Sequence, residues 1–332
     1  MPLAYTDDSE PGYRREADGE GGFRYLDRRG RSIRHPAVLA RIRMLAIPPA
    51  YEDVWICARA NGHLQATGRD ARGRKQYRYH DEWIAQQDAH KFGQLAEFGA
   101  ALPRIRRHVL RDLRLAGVPK ARILALVVML LDHTLIRVGS TQYARMNRSY
   151  GLTTLEKKHT RVAGTRIRFQ FRGKSGVQHD VSLHDRRLAT LLRHCLEIPG
   201  QRLFKYRDLE GRKHGISSTD VNTYLQAIGG QDFTAKDFRT WGGSVMAFEC
   251  LRHAPAKKES PPPPKQEKAA LKAVAGRLGN TVAVCRQCYV HPAILEAHSS
   301  GRLDKVGPAP RTPRGLDAAE RRFLAFLSRW PG

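Results

Sequence analysis

Near Lys91 the apolar residues change period, and that change bounds the fold of this chain more tightly than any other feature of the sequence. Upstream, the apolar residues fall in short runs of the kind strands use. Tyr51 to Cys57 carries Val54 and Ile56 beside Trp55, and Asn61-Gly62 follows as a turn that joins hairpin strands. Downstream, Leu95 to Leu115 and Arg122 to Ile136 repeat apolar residues at three and four spacing, the signature of core helices, with Gly117-Val118-Pro119 between them. A chain written in two periods, one after the other, points to an α+β fold. The expected layout is a small β-rich domain over residues 1–90 and a larger, mainly helical domain over 91–332.

One strand pair interrupts the helical part. Thr165 to Phe171 alternates strictly, with Ile167, Phe169 and Phe171 on one face and Arg166, Arg168 and Gln170 on the other. It turns through Gly173-Lys174-Ser175-Gly176 and returns as Val177 to Leu183, so Lys174 is expected at the tip of a β-hairpin. Helices resume after Leu188, and Ser217 to Asp220 caps the segment Val221 to Ile228. Pro255 to Glu267, which contains the run Pro261 to Pro264, reads as an extended linker. A helix from about Lys268 to Arg277 follows, then Leu278-Gly279-Asn280-Thr281, then a short helix carrying Tyr289 and stopped by Pro292.

Charge narrows the partner. The chain holds 58 Lys and Arg against 32 Asp and Glu, a formal net charge of +26. The excess is rich in arginine and spread over the whole length, which favours nucleic acid over a membrane surface or an acidic protein. The longest apolar stretch, Ile123 to Leu131, is about half the ~20 residues a membrane helix needs. Met1 leads into Asp7, Asp8 and Glu10 without an apolar run behind a basic start, so a cytoplasmic, nucleoid-associated protein is expected. Cys285 and Cys288 form a Cys-x-x-Cys with His291 close behind. No second pair supplies the remaining ligands of a structural zinc site, so reduced cysteines packed on a helix are expected and no metal.

Several residues could carry chemistry on a phosphodiester. Breaking that bond needs a nucleophile, cations around the phosphate and an acid for the departing oxygen. Candidates are Arg137 in Arg137-Val138-Gly139, Lys174 on its hairpin, Arg239 in Lys236-Asp237-Phe238-Arg239-Thr240-Trp241, and the pair Asn280 and Tyr289. In the small domain, the basic loop Gly68-Arg69-Asp70-Ala71-Arg72-Gly73-Arg74-Lys75 runs into Gln76-Tyr77-Arg78-Tyr79, which joins cations to an amide and two flat rings. That mixture suits a strand touching DNA, and equally a solvated loop ahead of a strand whose tyrosines pack.

Taken in order, these segments resemble the type IB DNA topoisomerases, in particular the compact poxvirus-like form found in bacteria. The resemblance runs from Ile47-Pro48-Pro49-Ala50 and Asp53-Val54-Trp55-Ile56-Cys57 through Gln65-Ala66-Thr67-Gly68-Arg69-Asp70 and Gly73-Arg74-Lys75-Gln76-Tyr77. It continues through Ile136-Arg137-Val138-Gly139, Gly151-Leu152-Thr153-Thr154-Leu155, Lys174-Ser175-Gly176 and Asp237-Phe238-Arg239-Thr240-Trp241 to Leu278-Gly279-Asn280-Thr281 and Tyr289-Val290-His291-Pro292. The family's nucleophilic tyrosine falls on Tyr289, its phosphate-binding arginines on Arg137 and Arg239, and its hairpin lysine on Lys174. A position that is histidine in the viral and nuclear enzymes falls on Asn280, a neutral amide that can donate a hydrogen bond but brings no charge.

The resemblance implies single-strand cleavage through a 3′-phosphotyrosyl link, a clamp of the two domains around duplex DNA, and supercoil relaxation without ATP, metal or other cofactor by a monomer. The absence of a Gly-x-x-x-x-Gly-Lys-Ser/Thr loop agrees with the ATP independence. Gln76, Tyr77 and Tyr79 match DNA-touching positions of the small domain, and Tyr143 a further one in the helix after Arg137. A tyrosine recombinase, with a similar set of catalytic residues, is the alternative enzyme. A DNA-packaging protein that uses its charge alone is the non-catalytic one.

Overall fold

The computed structural model describes residues 2–208, 210–253, 263–303 and 306–330. The chain divides into two compact units, Met1–Lys91 and Phe92–Gly332.

The first unit is built on five antiparallel strands: β1 (Tyr13–Ala17), β2 (Phe23–Leu26), β3 (Glu52–Ile56), β4 (Leu64–Arg69) and β5 (Lys75–Tyr79), in the order β2-β1-β3-β4-β5. Helix α1 (Pro36–Met44) covers one face, burying Ile42 with Val54, Ile56 and Ala66. That core is small, and polar bonds reinforce it. Arg41 donates to the Gln65 side chain, and Gln65 Nε2 donates in turn to the Gly62 carbonyl at 2.7 Å. Strand β5 lies at the edge of the sheet, and its alternation sends Tyr77 and Tyr79 to one face and Gln76 and Arg78 to the other.

Helix α2 (Asp81–Gly93) begins about ten residues before the change of period read from the sequence. Only Phe92 of this helix is buried, so it carries too few inward apolar residues to show a helical repeat. Then come α3 (Leu95–Asp112), α4 (Lys120–Thr134) and α5 (Thr141–Asn147). Helix α4 is buried on nearly all sides from Ile123 to Leu131 and forms the axis of the second unit's core.

Three strands follow, β6 (Thr160–Ala163), β7 (Arg166–Arg172) and β8 (Gln178–His184), in the order β6-β7-β8. Ile167, Phe169 and Phe171 point into the core as the alternation requires. After α6 (Arg186–Glu197), a small ribbon of β9 (Lys205–Arg207) and β10 (Lys213–Gly215) leads to α7 (Ser218–Gly229) and α8 (Ala235–Arg252). Side chains cap three of these helix starts: Asp185 on α6, Ser217 on α7 and Thr234 on α8.

The last helices are α9 (Pro263–Leu278), α10 (Val282–Cys288), α11 (Pro292–Ser299) and α12 (Ala318–Arg329). Two sequence expectations are corrected here. Most of the expected linker, residues 255–262, lies outside the described residues, but its end from Pro263 is already the first turn of α9, where a proline's missing N–H costs nothing. Tyr289 is not inside a helix. It is the residue that ends α10, and Pro292, read as a stop, opens α11.

Candidate active site

Arg137 is set by the end of α4. Leu135 adopts a left-handed conformation (φ +57°) that closes the helix and sends the chain out extended. The Leu152 N–H donates to the Arg137 carbonyl at 2.9 Å and the Thr153 N–H to that of Val138 at 2.8 Å. The two backbones touch through glycine. A Cβ on Gly151 would stand 2.5 Å from the Arg137 carbonyl oxygen, and Gly139 opposite has φ +93°. Side chains at these positions would push Arg137 out of place.

Arg239 projects from α8 and is 3% exposed. Its terminal nitrogens donate to the carbonyls of Leu135 and, at 3.0 Å, Leu278. One guanidinium thereby joins the end of α4 to the end of α9. Burial lowers its pKa from the usual arginine value, yet arginine's starting value is so high that the charge is retained at neutral pH. The guanidinium carbon lies 4.9 Å over the Tyr289 ring, a cation–π contact that holds the phenol beside a positive charge.

The Tyr289 backbone is also tied to α8. Ser244, fully buried, donates its hydroxyl to the Tyr289 carbonyl at 3.3 Å and accepts the His291 N–H at 3.0 Å. Asn280, in the turn between α9 and α10, accepts a hydrogen bond from Arg137 through its side-chain oxygen. Among the described residues, Asn280 Nδ2 and Arg239 Nε are buried donors without a hydrogen-bond partner. Such donors cost about 1–3 kcal/mol each when left unmade, so an acceptor oxygen arriving here is favoured.

Arg137, Tyr143, Lys174, Lys236, Arg239 and Tyr289 line one open cleft of about 280 Å³, and among the described residues no carboxylate lines it. Lys174 reaches it from the exposed β7–β8 tip, where Lys174–Gly176 forms a single tight turn. Four segments separated by up to 152 positions, from Arg137 to Tyr289, thus supply three phenols, Tyr143, Tyr150 and Tyr289, and four cations. Tyr143, on α5, faces the same cleft.

In the first unit, Tyr77 and Tyr79 are exposed and stacked, with ring centroids 6.1 Å apart and planes 9° from parallel. Gln76 does not join them. It lies on the opposite face of β5, and its amide donates to Asp70 at 3.0 Å. Asp70 also binds Arg74, which holds its carboxyl down at about 2, so the basic loop is internally cross-linked through one carboxylate.

Sequence reasoning missed two neighbours of the site. Ser244 sits five residues after Arg239 on α8, and a serine within a helix carries no signal of its own. His179 on β8 stacks on Phe171, with centroids 4.9 Å apart and planes 7° from parallel. Burial, and after it the Arg137 and Arg239 charges, push its pKa below the ordinary histidine value. The ring is therefore neutral at pH 7. Cys285 packs in the core and Cys288 is partly exposed, both as free thiols, and burial raises the Cys285 pKa.

A phenol beside several cations, with two buried, unpartnered donors on Arg239 and Asn280, is suited to attack on a phosphodiester. Comparison with known proteins agrees. Residues 75–304 match the family model "Eukaryotic DNA topoisomerase I, catalytic core", and residues 22–70 match "Bacterial DNA topoisomerase IB, N-terminal domain". The chain is 32% identical over 273 residues to DNA topoisomerase 1B of Acanthamoeba polyphaga mimivirus, covering 79% of this chain and 80% of that protein. It is 25% identical over 248 residues to DNA topoisomerase I of Monkeypox virus, and 24% identical over the same length to DNA topoisomerase 1B of Vaccinia virus (strain Copenhagen). Each of these two matches spans 74% of this chain and 75% of the relative. The chain belongs to the type IB DNA topoisomerases, in the compact poxvirus-like form found in bacteria.

Proposed function

We propose that this enzyme relaxes supercoiled DNA by the following division of labour in its cleft. The Tyr289 hydroxyl gives its proton to water and its oxygen attacks a phosphorus of one strand, forming a 3′-phosphotyrosyl bond as the bond to the 5′ oxygen breaks. Arg137 and Arg239 neutralise the non-bridging oxygens, a task for which a planar, multiply anchored guanidinium is better suited than a flexible ammonium. Lys174 gives its proton to the departing 5′ oxygen and recovers it on rejoining. Asn280 donates one hydrogen bond to a non-bridging oxygen and brings no charge.

The observation that carries this reading is the pair of buried, unpartnered donors, Arg239 Nε and Asn280 Nδ2, beside the tyrosine that stacks on Arg239. Because the phosphotyrosyl bond stores the energy of the phosphodiester it replaces, resealing needs no nucleotide. Between the two steps the free 5′ end swivels about the intact strand. In this reading the β-rich unit and the helical unit close on opposite sides of the duplex. Tyr77 and Tyr79 touch DNA from the former and Tyr143 from the latter, with Gln76 joining once it leaves Asp70. We propose further that the enzyme works as a monomer on the nucleoid.

Plasmid relaxation in EDTA without ATP tests the assignment. The wild-type protein relaxes the plasmid and Tyr289→Phe does not, although it still binds DNA. Relaxation by the phenylalanine variant, or a requirement for Mg²⁺ or ATP, contradicts it.

A further inference from the structure

His179 has no part in the division of labour above, yet it touches the segments that carry two of its members. It pairs with Phe171 across the hairpin. Two glycines leave room for its ring. A Cβ on Gly173, the residue before Lys174, would stand 2.6 Å from the imidazole Cδ2 and Nε2. A Cβ on Gly279, the residue before Asn280, would stand 2.4 Å from Cε1 and 2.9 Å from Nε2. The imidazole is a wedge between the hairpin tip and the α9–α10 turn.

The two sides of the wedge differ in their other supports. The α9–α10 turn is anchored independently, by Arg239 on the Leu278 carbonyl, by Arg137 on the Asn280 side chain and by the Asn280 N–H on the Ala275 carbonyl at 3.1 Å. At the tip, the described backbone bonds are internal: Gly173 N–H to Val177 at 2.7 Å, Gly176 N–H to Gly173 at 3.1 Å. Removing the ring therefore loosens the Lys174 side and leaves the Asn280 side in place.

We propose that His179 is a positioning residue that braces the Lys174 hairpin tip against the Asn280 turn, so that the lysine ammonium meets the leaving oxygen. This rests on the reading of Lys174 as the acid. A proton donor displaced by about 1 Å loses on the order of 100-fold in rate, without any change in how tightly the ground state is bound. The cost falls on leaving-group protonation alone, which a sulfur substitution can isolate. When sulfur replaces the bridging 5′ oxygen at the scissile phosphate, the thiolate departs without a proton, because thiols are far more acidic than alcohols.

Single-turnover cleavage of an ordinary duplex and of its bridging-sulfur analogue, by wild type, His179→Ala, His179→Phe and Lys174→Ala, tests the proposal. His179→Ala is expected to slow cleavage of ordinary DNA by about 10- to 100-fold. It should cleave the sulfur duplex near the wild-type rate and bind DNA unchanged. His179→Phe refills the wedge and restores cleavage of ordinary DNA. A wild-type rate for His179→Ala, an equal defect on both duplexes, or failure of the phenylalanine to restore the rate overturns the brace. Lys174→Ala separates the two layers. If sulfur rescues it but not His179→Ala, the brace alone is wrong. If sulfur does not rescue Lys174→Ala, the acid assignment fails and the brace falls with it.

Discussion

Arg239 shows why residue type matters more than charge in this cleft. Both terminal nitrogens are committed to backbone carbonyls and the planar group lies on the Tyr289 ring, leaving Nε buried without a hydrogen-bond partner. An ammonium cannot hold two carbonyls, cover a ring and donate to a phosphate at once. Arg239→Lys is therefore expected to slow single-turnover cleavage by roughly 10²–10³, the loss typical of removing one stabilising donor, while Asn280→Ala costs less because no charge is lost. A lysine variant near wild type, or an alanine at 280 more damaging than the lysine at 239, would reverse this ranking. Arg137, Lys174, Arg239, Asn280 and Tyr289 were candidates because the short segments that carry them, taken in order, resemble those of one family; each alone has an ordinary structural reading. His179 and Ser244 were not. Their signal lies in contacts made across the fold, to Gly279 and to the Tyr289 carbonyl, which no spacing along the chain records.

Elements were legible where burial imposes a period. The β7 alternation and the apolar run of α4 are visible in the sequence because each has a face, or a whole surface, turned to the core. Helix α2, with Phe92 alone fully buried, left no such trace. The end of α10 was misjudged for a related reason: Tyr289 and His291 lie in a three-residue link between helices, where the Tyr289 N–H makes a closing bond of α10, to the Cys285 carbonyl at 3.0 Å, and Ser244 holds the Tyr289 carbonyl and the His291 N–H. His291 caps α11 by accepting the Ala293 N–H at 3.2 Å, which requires an unprotonated ring nitrogen.

Burial lowers the His291 pKa from 6.5 to about 4. Between these values the unfolded chain binds a proton that the folded chain does not, so this group makes stability fall as pH drops from about 6.5 to about 4 and adds no further loss below that. In His291→Asn, which keeps a capping oxygen, the thermal midpoint should fall less steeply through this window. A slope identical to wild type would remove His291 from the acid sensitivity.

The second unit is also joined by charge. Arg106 of α3 pairs with Asp132 of α4 at 2.8 Å and with Glu320 of α12 at 2.8 Å, and the Trp241 indole of α8 donates to the same Glu320 at 3.1 Å. Three helices meet at the Glu320 carboxylate, and Arg106 ties in α4 as a fourth through Asp132. Glu320→Ala leaves a largely buried guanidinium half-paired and is expected to destabilise this unit by about 3 kcal/mol, read by denaturant titration. A loss under about 1 kcal/mol would show the network to be peripheral. The same unit holds every residue of the cleft, so packing and catalysis share one scaffold. Among the described residues, no helix is long and apolar enough to cross a membrane, and the +26 net charge provides a salt-sensitive grip on a polyanion.

One phenolic oxygen, that of Tyr289, is expected to form the covalent bond to DNA. Denaturing the enzyme during turnover on an end-labelled duplex, digesting it with protease and sequencing the DNA-bound peptide measures that directly. The expected product is a peptide joined through Tyr289 to a 3′ phosphate, with a free 5′ hydroxyl on the other fragment. A DNA-linked peptide lacking Tyr289, or a 5′-phosphate linkage, would contradict it.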